Sequence, residues 1–261
     1  MKRNYHTHHK LCNHASGTTE DYVLEAIKNN FDTLGMSDHA PNHRVGDTNV
    51  RMNESELDEY LKDIEDAQAK YRDKITILKG LEVEYFYNHE EYYKNLKEKT
   101  DYLVHGQHYI SMTNSMNDLI SGFGLWKSEQ ILKYADILKD AMETNLFDIM
   151  AHPDLYMCGY KNFDETAEKV AHIICKAAID NNMVLEFNAN GFRRGKQETP
   201  QGVLQPYPRL EFWKIAKTYN VKTILSSDCH NPKFLYDTVV RRAEEVYKKL
   251  GLNDVGIIKF K

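Results

Sequence analysis

Residues 164–188 read DETAEKVAHIICKAAIDNN (Asp164–Asn182) and then, without a break, MVLEFN (Met183–Asn188). In the first part Ala167, Val170, Ala171, Ile174 and Ala178 recur at three- and four-residue steps and form an apolar face. Glu165, Glu168, Lys169, His172 and Lys176 form the opposite, charged one. That spacing predicts an amphipathic helix. The second part is a short, mostly apolar run of strand length. Helix passing straight into strand is the repeating step of an α/β chain, and the step recurs on both sides. Strands are predicted at Arg3–His6, Thr33–Ser37, Ile75–Val83, Tyr102–His108, Phe147–Ala151, Met183–Asn188 and Val221–Ser226. Helices are predicted at about Thr19–Asn30, Glu54–Arg72, His89–Lys99, Ser128–Asn145, Asp164–Asn182, Pro208–Tyr219 and Asp237–Leu250. Seven strand-then-helix units imply a parallel sheet with helices outside it. Closed on itself it is a TIM-like (βα)7 barrel, a single domain over residues 1–261; an open doubly wound sheet shares the same pattern. Two polar loops, Pro41–Asn53 and Gly191–Tyr207, are long enough to suggest a role of their own.

The bulk properties narrow the function. With 261 residues the chain suits one large domain. A net charge of −5 argues against a nucleic-acid partner, which requires clustered Lys and Arg. No run is apolar enough for a membrane span or a secretory leader. The four cysteines (Cys12, Cys158, Cys175, Cys229) form no C-x-x-C pair, so reduced thiols and a cytoplasmic protein are expected.

Twelve histidines are many for this length, and their placement is not scattered. His6 and His8 end the first strand, His39 follows the second, Glu82 closes the third, His108 the fourth, His152 the fifth, and Asp228 and His230 the seventh. Six of seven strands thus deliver a metal-binding side chain at the carboxyl end, the face that carries the active site in such barrels. Residues i and i+2 of a strand point the same way, so His6 with His8, and Asp228 with His230, can grip one ion. Mixed imidazole and carboxylate donors suit Zn, Mn or Fe. A lone histidine at a strand end is more often a surface residue than a ligand; the ordered set is what carries the reading. His9, His43, His89, His105 and His172 are read as non-ligands, and Cys229, between two ligands, as a packing residue.

The chain resembles the PHP superfamily, named for polymerases and histidinol phosphatases. The resemblance rests on Tyr5-His6-Thr7-His8, Ser37-Asp38-His39-Ala40-Pro41, Lys79-Gly80-Leu81-Glu82-Val83-Glu84-Tyr85, Gly106-Gln107-His108-Tyr109, Ala151-His152-Pro153-Asp154 and Ser227-Asp228-Cys229-His230. Phe187–Arg194 and Pro206-Tyr207-Pro208 are similar to the stand-alone histidinol-phosphatases of that superfamily. The resemblance implies a distorted seven-stranded barrel holding three divalent metal ions. His6, His8, Glu82 and Asp228 would hold the first; Glu82 would bridge to a second, completed by His108 and His152; His14, His39 and His230 would hold the third. Glu84 competes with Glu82, and Gly80, which clears the same face, favours Glu82.

The implied activity is hydrolysis of a small phosphate ester, histidinol phosphate, in histidine biosynthesis; another PHP phosphatase or phosphodiesterase activity on a different small ester is the alternative. Cations about 3.5–4 Å apart clamp the ester and lower the pKa of water, so no serine or cysteine nucleophile is required. Arg193 is expected to meet the phosphate, ahead of Arg194, Lys196 and Arg209. Asp154 or a metal-bound water is expected to protonate the leaving alkoxide, and Asp38 to orient His39. Glu84, Tyr85, Asp154, Tyr156 and Glu186 are available for the substrate's ammonium and imidazole. A metal-dependent amidohydrolase also begins with H-x-H, but Glu82, Asp38-His39 and Asp228-x-His230 fit it poorly. A non-catalytic polymerase module is disfavoured by the short chain and the full ligand set.

Overall fold

Each of the seven predicted strands forms, and an eighth joins them. A computed structural model of the chain describes residues 2–42, 44–45 and 49–260; His43, read above as a non-ligand, lies outside them. The main sheet comprises β1 (Lys2–Asn4), β2 (Phe31–Met36), β3 (Thr76–Val83), β4 (Tyr102–His105), β5 (Ile149–Met150), β6 (Val184–Asn188), β7 (Lys222–Ser226) and β8 (Asn253–Asp254). Neighbours in the sheet are neighbours in the chain, and all pairs are parallel. The helices between them are α1 (Thr19–Lys28), α2 (Leu57–Tyr71), α3 (Glu90–Lys99), α4 (Ser128–Glu143), α5 (Glu165–Asp180), α6 (Leu210–Thr218) and α7 (Thr238–Leu250). Helix α5 buries the face its spacing predicts, including Ala167, Val170, Ala171 and Ile174. Asp164 starts it, accepting from the Thr166 and Ala167 amides at 3.0 and 3.1 Å. Among the described residues no helix is long and apolar enough to cross a membrane.

The sheet curls until its ends meet, giving the distorted TIM-like barrel. Thr7, just past β1, bridges Cys229, just past β7, in parallel, and the His8 amide donates to Cys229 O at 3.0 Å. Asn4 secures the join: its Nδ2 donates to His6 O at 2.9 Å and its Oδ1 accepts from the Ser227 amide at 2.7 Å. Strand β8 pairs with the start of β7, and Arg3 forms an ion pair with Asp254 on it. A two-residue strand has no periodicity, which is why the sequence pattern does not show it.

Apolar side chains fill the lower barrel. Tyr5, Tyr102, Val104, Ile149, Ala151, Val184 and Ile224 form one buried cluster, with Ile258 and Phe260 packed on it. A larger apolar core lies elsewhere in the fold. Gly35 and Gly80 exist for Tyr102: a Cβ on either would come within 2.1 and 2.3 Å of its ring and hydroxyl. This corrects the role assigned to Gly80, whose missing side chain accommodates Tyr102 and not Glu82.

Strands also end sooner than predicted. Strand β1 stops at Asn4 and β4 at His105, so every candidate histidine ligand stands in a connection, all but His14 within a few residues of a strand end, and Glu82 alone lies inside a strand. The rim turns sharply at two of these positions. His152 has φ 31° and Asp228 φ 44°, a region that non-glycine residues rarely adopt and that concentrates at functional sites.

Candidate metal centre

Polar side chains replace apolar ones at the carboxyl end of the barrel, beneath a cleft of about 250 Å³. Glu82, 1 % exposed, stands at its centre. Its Oε2 faces His6 Nε2 at 3.2 Å, His8 Nε2 at 3.4 Å and His39 Nδ1 at 3.0 Å. Its Oε1 faces His152 Nε2 at 3.0 Å and His108 Nε2 at 3.5 Å. Asp228 Oδ1 lies 3.6 Å from His6 Nε2, 3.2 Å from His8 Nε2 and 3.6 Å from His230 Nδ1. The His14 ring centroid is 4.5 Å from that of His230 and 5.4 Å from that of His39, and His14 Nδ1 is held by Cys12 O at 2.9 Å, leaving Nε2 free to ligate. All nine residues expected to bind metal therefore meet at one place.

These contacts have the spacing of a coordination shell. Two donors each about 2.1 Å from one cation stand roughly 3.0–3.4 Å apart for angles between a right angle and the tetrahedral one. Several of the atoms are buried and lack a hydrogen bond, among them His6 Nε2, His8 Nε2, His39 Nδ1 and Asp228 Oδ1. Buried polar atoms are rarely left unsatisfied, so the donor set fits divalent cations. The electrostatics agree. Burial alone would raise the Glu82 carboxyl, but His6, His108 and His39 outweigh it and hold it well below the usual carboxylate range. Asp228 is likewise buried and is held low by His6, His8 and His230. Burial pushes His230 down to about 4, with His14 and His39 adding to the effect, so it presents a lone pair at neutral pH.

Supporting contacts differ from the expectation. Glu186, buried in β6, accepts from His6 Nδ1–H at 2.8 Å, which aims His6 Nε2 at the centre. Glu84 does the same for His108 Nδ1 at 3.1 Å. Asp38 does not orient His39: its carboxylate takes the His9 amide at 2.6 Å and His9 Nδ1 at 2.5 Å, and so holds the turn that follows His8. The ends of β6 and β7 are tied by Asn188 Nδ2, which donates to Glu186 at 2.7 Å and to Asp228 at 3.0 Å. A signal for Glu186 existed, an acid in the apolar run MVLEFN two residues before Asn188 and so on the same face of the strand. Cys229 is a packing residue as expected; burial pushes its thiol up to about 12.

Two other expectations change. Arg193 points away from the cleft: its Nη1 and Nη2 donate to Asp237 at 2.8 and 2.9 Å and its guanidinium covers Phe234. Arg194 lines the cleft instead, fixed by Nε donating to Tyr207 Oη at 2.9 Å and by the Phe123 ring 4.2 Å away. Asp154 is fully buried and is not part of the cleft wall. Its Oδ2 accepts from the Arg209 amide at 2.5 Å and from Trp213 Nε1 at 3.1 Å, and burial raises its pKa to about 7. It anchors the start of α6 and has no route to a leaving group. Of the residues considered for the substrate, Glu84 lines the cleft, Tyr85 and Tyr156 are buried in the larger apolar core, and Glu186 lies under His6.

Removing bound cations should lower stability. At a hundredfold excess over Kd a cation that binds only the folded chain adds about 2.7 kcal/mol. A melting curve with and without chelator should therefore show a drop of several degrees, and an unchanged midpoint would count against the centre.

The fold and this floor define a TIM-like barrel protein with a carboxylate-bridged histidine cluster at the carboxyl ends of its strands. A family model for the PHP domain matches residues 4–190, and the chain belongs to that family. It is 25% identical over 236 residues to a Deinococcus radiodurans protein named probable histidinol-phosphatase, covering 87% of this chain and 85% of that one. It is 23% identical over 259 residues to the histidinol-phosphatase of Bacillus subtilis, covering 88% and 94%. Its fold is similar to histidinol phosphate phosphatase from Lactococcus lactis subsp. lactis, a structure complexed with zinc, L-histidinol and phosphate, with TM-score 0.74, 19% identity and coverage of 100% and 97%.

Proposed function

We propose that the chain is a histidinol-phosphatase, hydrolysing L-histidinol phosphate to L-histidinol and phosphate at a centre of three divalent cations drawn from Zn, Mn and Fe. The carrying observation is the position of Glu82, with its two oxygens turned to two separate groups of histidines on the floor of a cleft rimmed by Arg194. The Lactococcus lactis relative, complexed with zinc, L-histidinol and phosphate, supports the same reading. His6, His8, Glu82 and Asp228 would hold one cation, Glu82, His108 and His152 a second, and His14, His39 and His230 a third. Bound there, the cations supply charge neutralisation for the phosphate and acidify water.

The chain's own groups do the rest. Arg194 spends Nε on Tyr207, so its plane is set and its Nη groups, which bond to no described residue, remain for phosphate oxygens. Phe123 and Tyr109 give the cleft aromatic walls suited to an imidazole and an ammonium. Each carboxylate on the cleft wall already has a cationic or imidazole partner, so the proton for the leaving alkoxide is assigned to solvent and not to Asp154.

Arg194→Ala should raise KM for the ester about tenfold or more, in line with a charge-assisted hydrogen bond of ~1.5–3 kcal/mol. Arg193→Ala should leave KM within about twofold and instead lower stability by about 1 kcal/mol, the scale of a partly exposed ion pair. Steady-state kinetics beside melting curves would decide; the reverse pattern would restore Arg193 as the phosphate ligand.

The substrate is tested by assaying a panel of phosphate esters with Zn, Mn or Fe added. Histidinol phosphate should be preferred over simple alkyl and aryl phosphates by about a hundredfold in kcat/KM, roughly 2.7 kcal/mol. Equal rates across the panel would replace histidinol phosphate with another small ester and leave the centre intact.

A further inference from the structure

The two halves of the Glu82 carboxylate look onto unlike surroundings. On the Oε2 side, His6 is 1 % exposed and its Nδ1–H is accepted by Glu186 at 2.8 Å. The other donors to Glu186 are neutral: the His152 amide at 3.2 Å and Asn188 Nδ2 at 2.7 Å. On the Oε1 side, His108 is 15 % exposed and its Nδ1–H is accepted by Glu84 at 3.1 Å. Glu84, however, is clamped by Arg51, whose Nη1 and Nη2 donate to its two oxygens at 3.0 and 2.9 Å. Arg51 is itself buried and held in place, with Nη1 reaching Ala40 O at 3.2 Å and its own carbonyl accepting from Asn13 Nδ2 at 2.7 Å.

A carboxylate behind a ligating imidazole raises the basicity of the nitrogen facing the metal. A guanidinium on that carboxylate draws its charge away, because the cation of a bidentate pair offsets the negative charge that would otherwise polarise the ring. We propose that Arg51 is a positioning residue which, acting through Glu84 and His108, weakens the cation site on the Oε1 side, so that of the two sites sharing Glu82 the one built on His108 and His152 is the exchangeable one. Arg51 also borders the cleft. A ligand there that pulls the guanidinium off Glu84 would strengthen His108 and tighten that cation. The inference rests on the metal-centre reading above and adds an order of affinities to it.

The test uses the full-length chain loaded with zinc alone and competed against a chelator, with zinc per chain and release rates as readouts. Removing such a partner of a metal-ligating histidine changes affinity by about 10–100-fold. Wild type should release the Oε1-side zinc before the Oε2-side zinc. Glu84→Gln should loosen the weaker site about tenfold, and Glu186→Gln should loosen the tighter one. Arg51→Gln should move the weaker site the other way, tightening it about tenfold, whereas a purely structural role for Arg51 predicts loosening. Arg51→Lys, which keeps a cation on Glu84, should retain the wild-type order. Loosening in Arg51→Gln, or parallel shifts of both sites in every variant, overturns the proposal. Should Arg51→Gln fail to fold by circular dichroism, Glu84→Gln decides alone, since an unmoved weaker site overturns it equally. A folded wild type that takes up no zinc would refute the metal centre itself, a separate result.

Discussion

Replacing Glu82 by glutamine is expected to lower the phosphatase kcat by about a thousandfold or more while the barrel still folds. The carboxylate faces three histidines through one oxygen and two through the other. Glutamine matches its shape but offers one oxygen and one NH2, so on one side a cation would meet hydrogens where it needs an oxygen lone pair. A cation clamp on a phosphoryl group is worth several kcal/mol, and each 1.36 kcal/mol is a factor of about ten in rate. The side chain is isosteric and the apolar cores are untouched, so circular dichroism and the metal-free melting midpoint should stay near those of wild type. Near-normal turnover with a normal metal content would end the bridging role.

The second large effect is expected from a residue with no side chain. A Cβ at Gly106 would stand 1.9 Å from Glu82 Oε1 and 2.6 Å from its Cδ. The backbone there has little freedom, because the Gly106 amide donates to Val83 O at 3.1 Å. The carboxylate has to move. A misplacement of about 1 Å in catalytic geometry can cost a hundredfold in rate, so Gly106→Ala should lose at least about that in kcat and bind less metal. Overpacking costs about 1–3 kcal/mol, so the melting midpoint should fall only modestly. Activity within about threefold of wild type would show that the floor yields more easily than its packing implies.

The sheet and the gathering of histidines and carboxylates at one rim were legible because both depend on short-range rules. The period of Ala167, Val170, Ala171, Ile174 and Ala178 decides helix from strand whatever surrounds it, and i,i+2 spacing brings His6 with His8 and Asp228 with His230. Partners chosen across the fold were not legible. Arg193 and Arg194 are adjacent in a 3-10 turn, Ala189–Arg194, where successive side chains diverge by about a third of a turn. One therefore meets the cap of α7 and the other the cleft, and the sequence does not say which. Asp38 stands beside His39 in the chain, yet its nearest partner is His9, because the connections after β1 and β2 lie side by side. Asp154 follows the His-Pro pair, which suggested chemistry, but α6 arrives above it and takes both of its hydrogen bonds on Oδ2. Arg51, from a loop with no helical or strand period, had no signal at all.

The join secured by Asn4, Thr7, Ser227 and Cys229 has a consequence for how the molecule is assembled. Every other strand pairs with its successor in the chain, so the sheet can grow by local steps; this seam, with the Arg3–Asp254 ion pair beside it, demands that the beginning of the chain find residues more than two hundred positions away. His6 and His8 sit on one lip of the seam and Asp228 and His230 on the other. A cation gripped by both lips would act as a rivet, and completing the circle and completing the floor of the cleft would become one event.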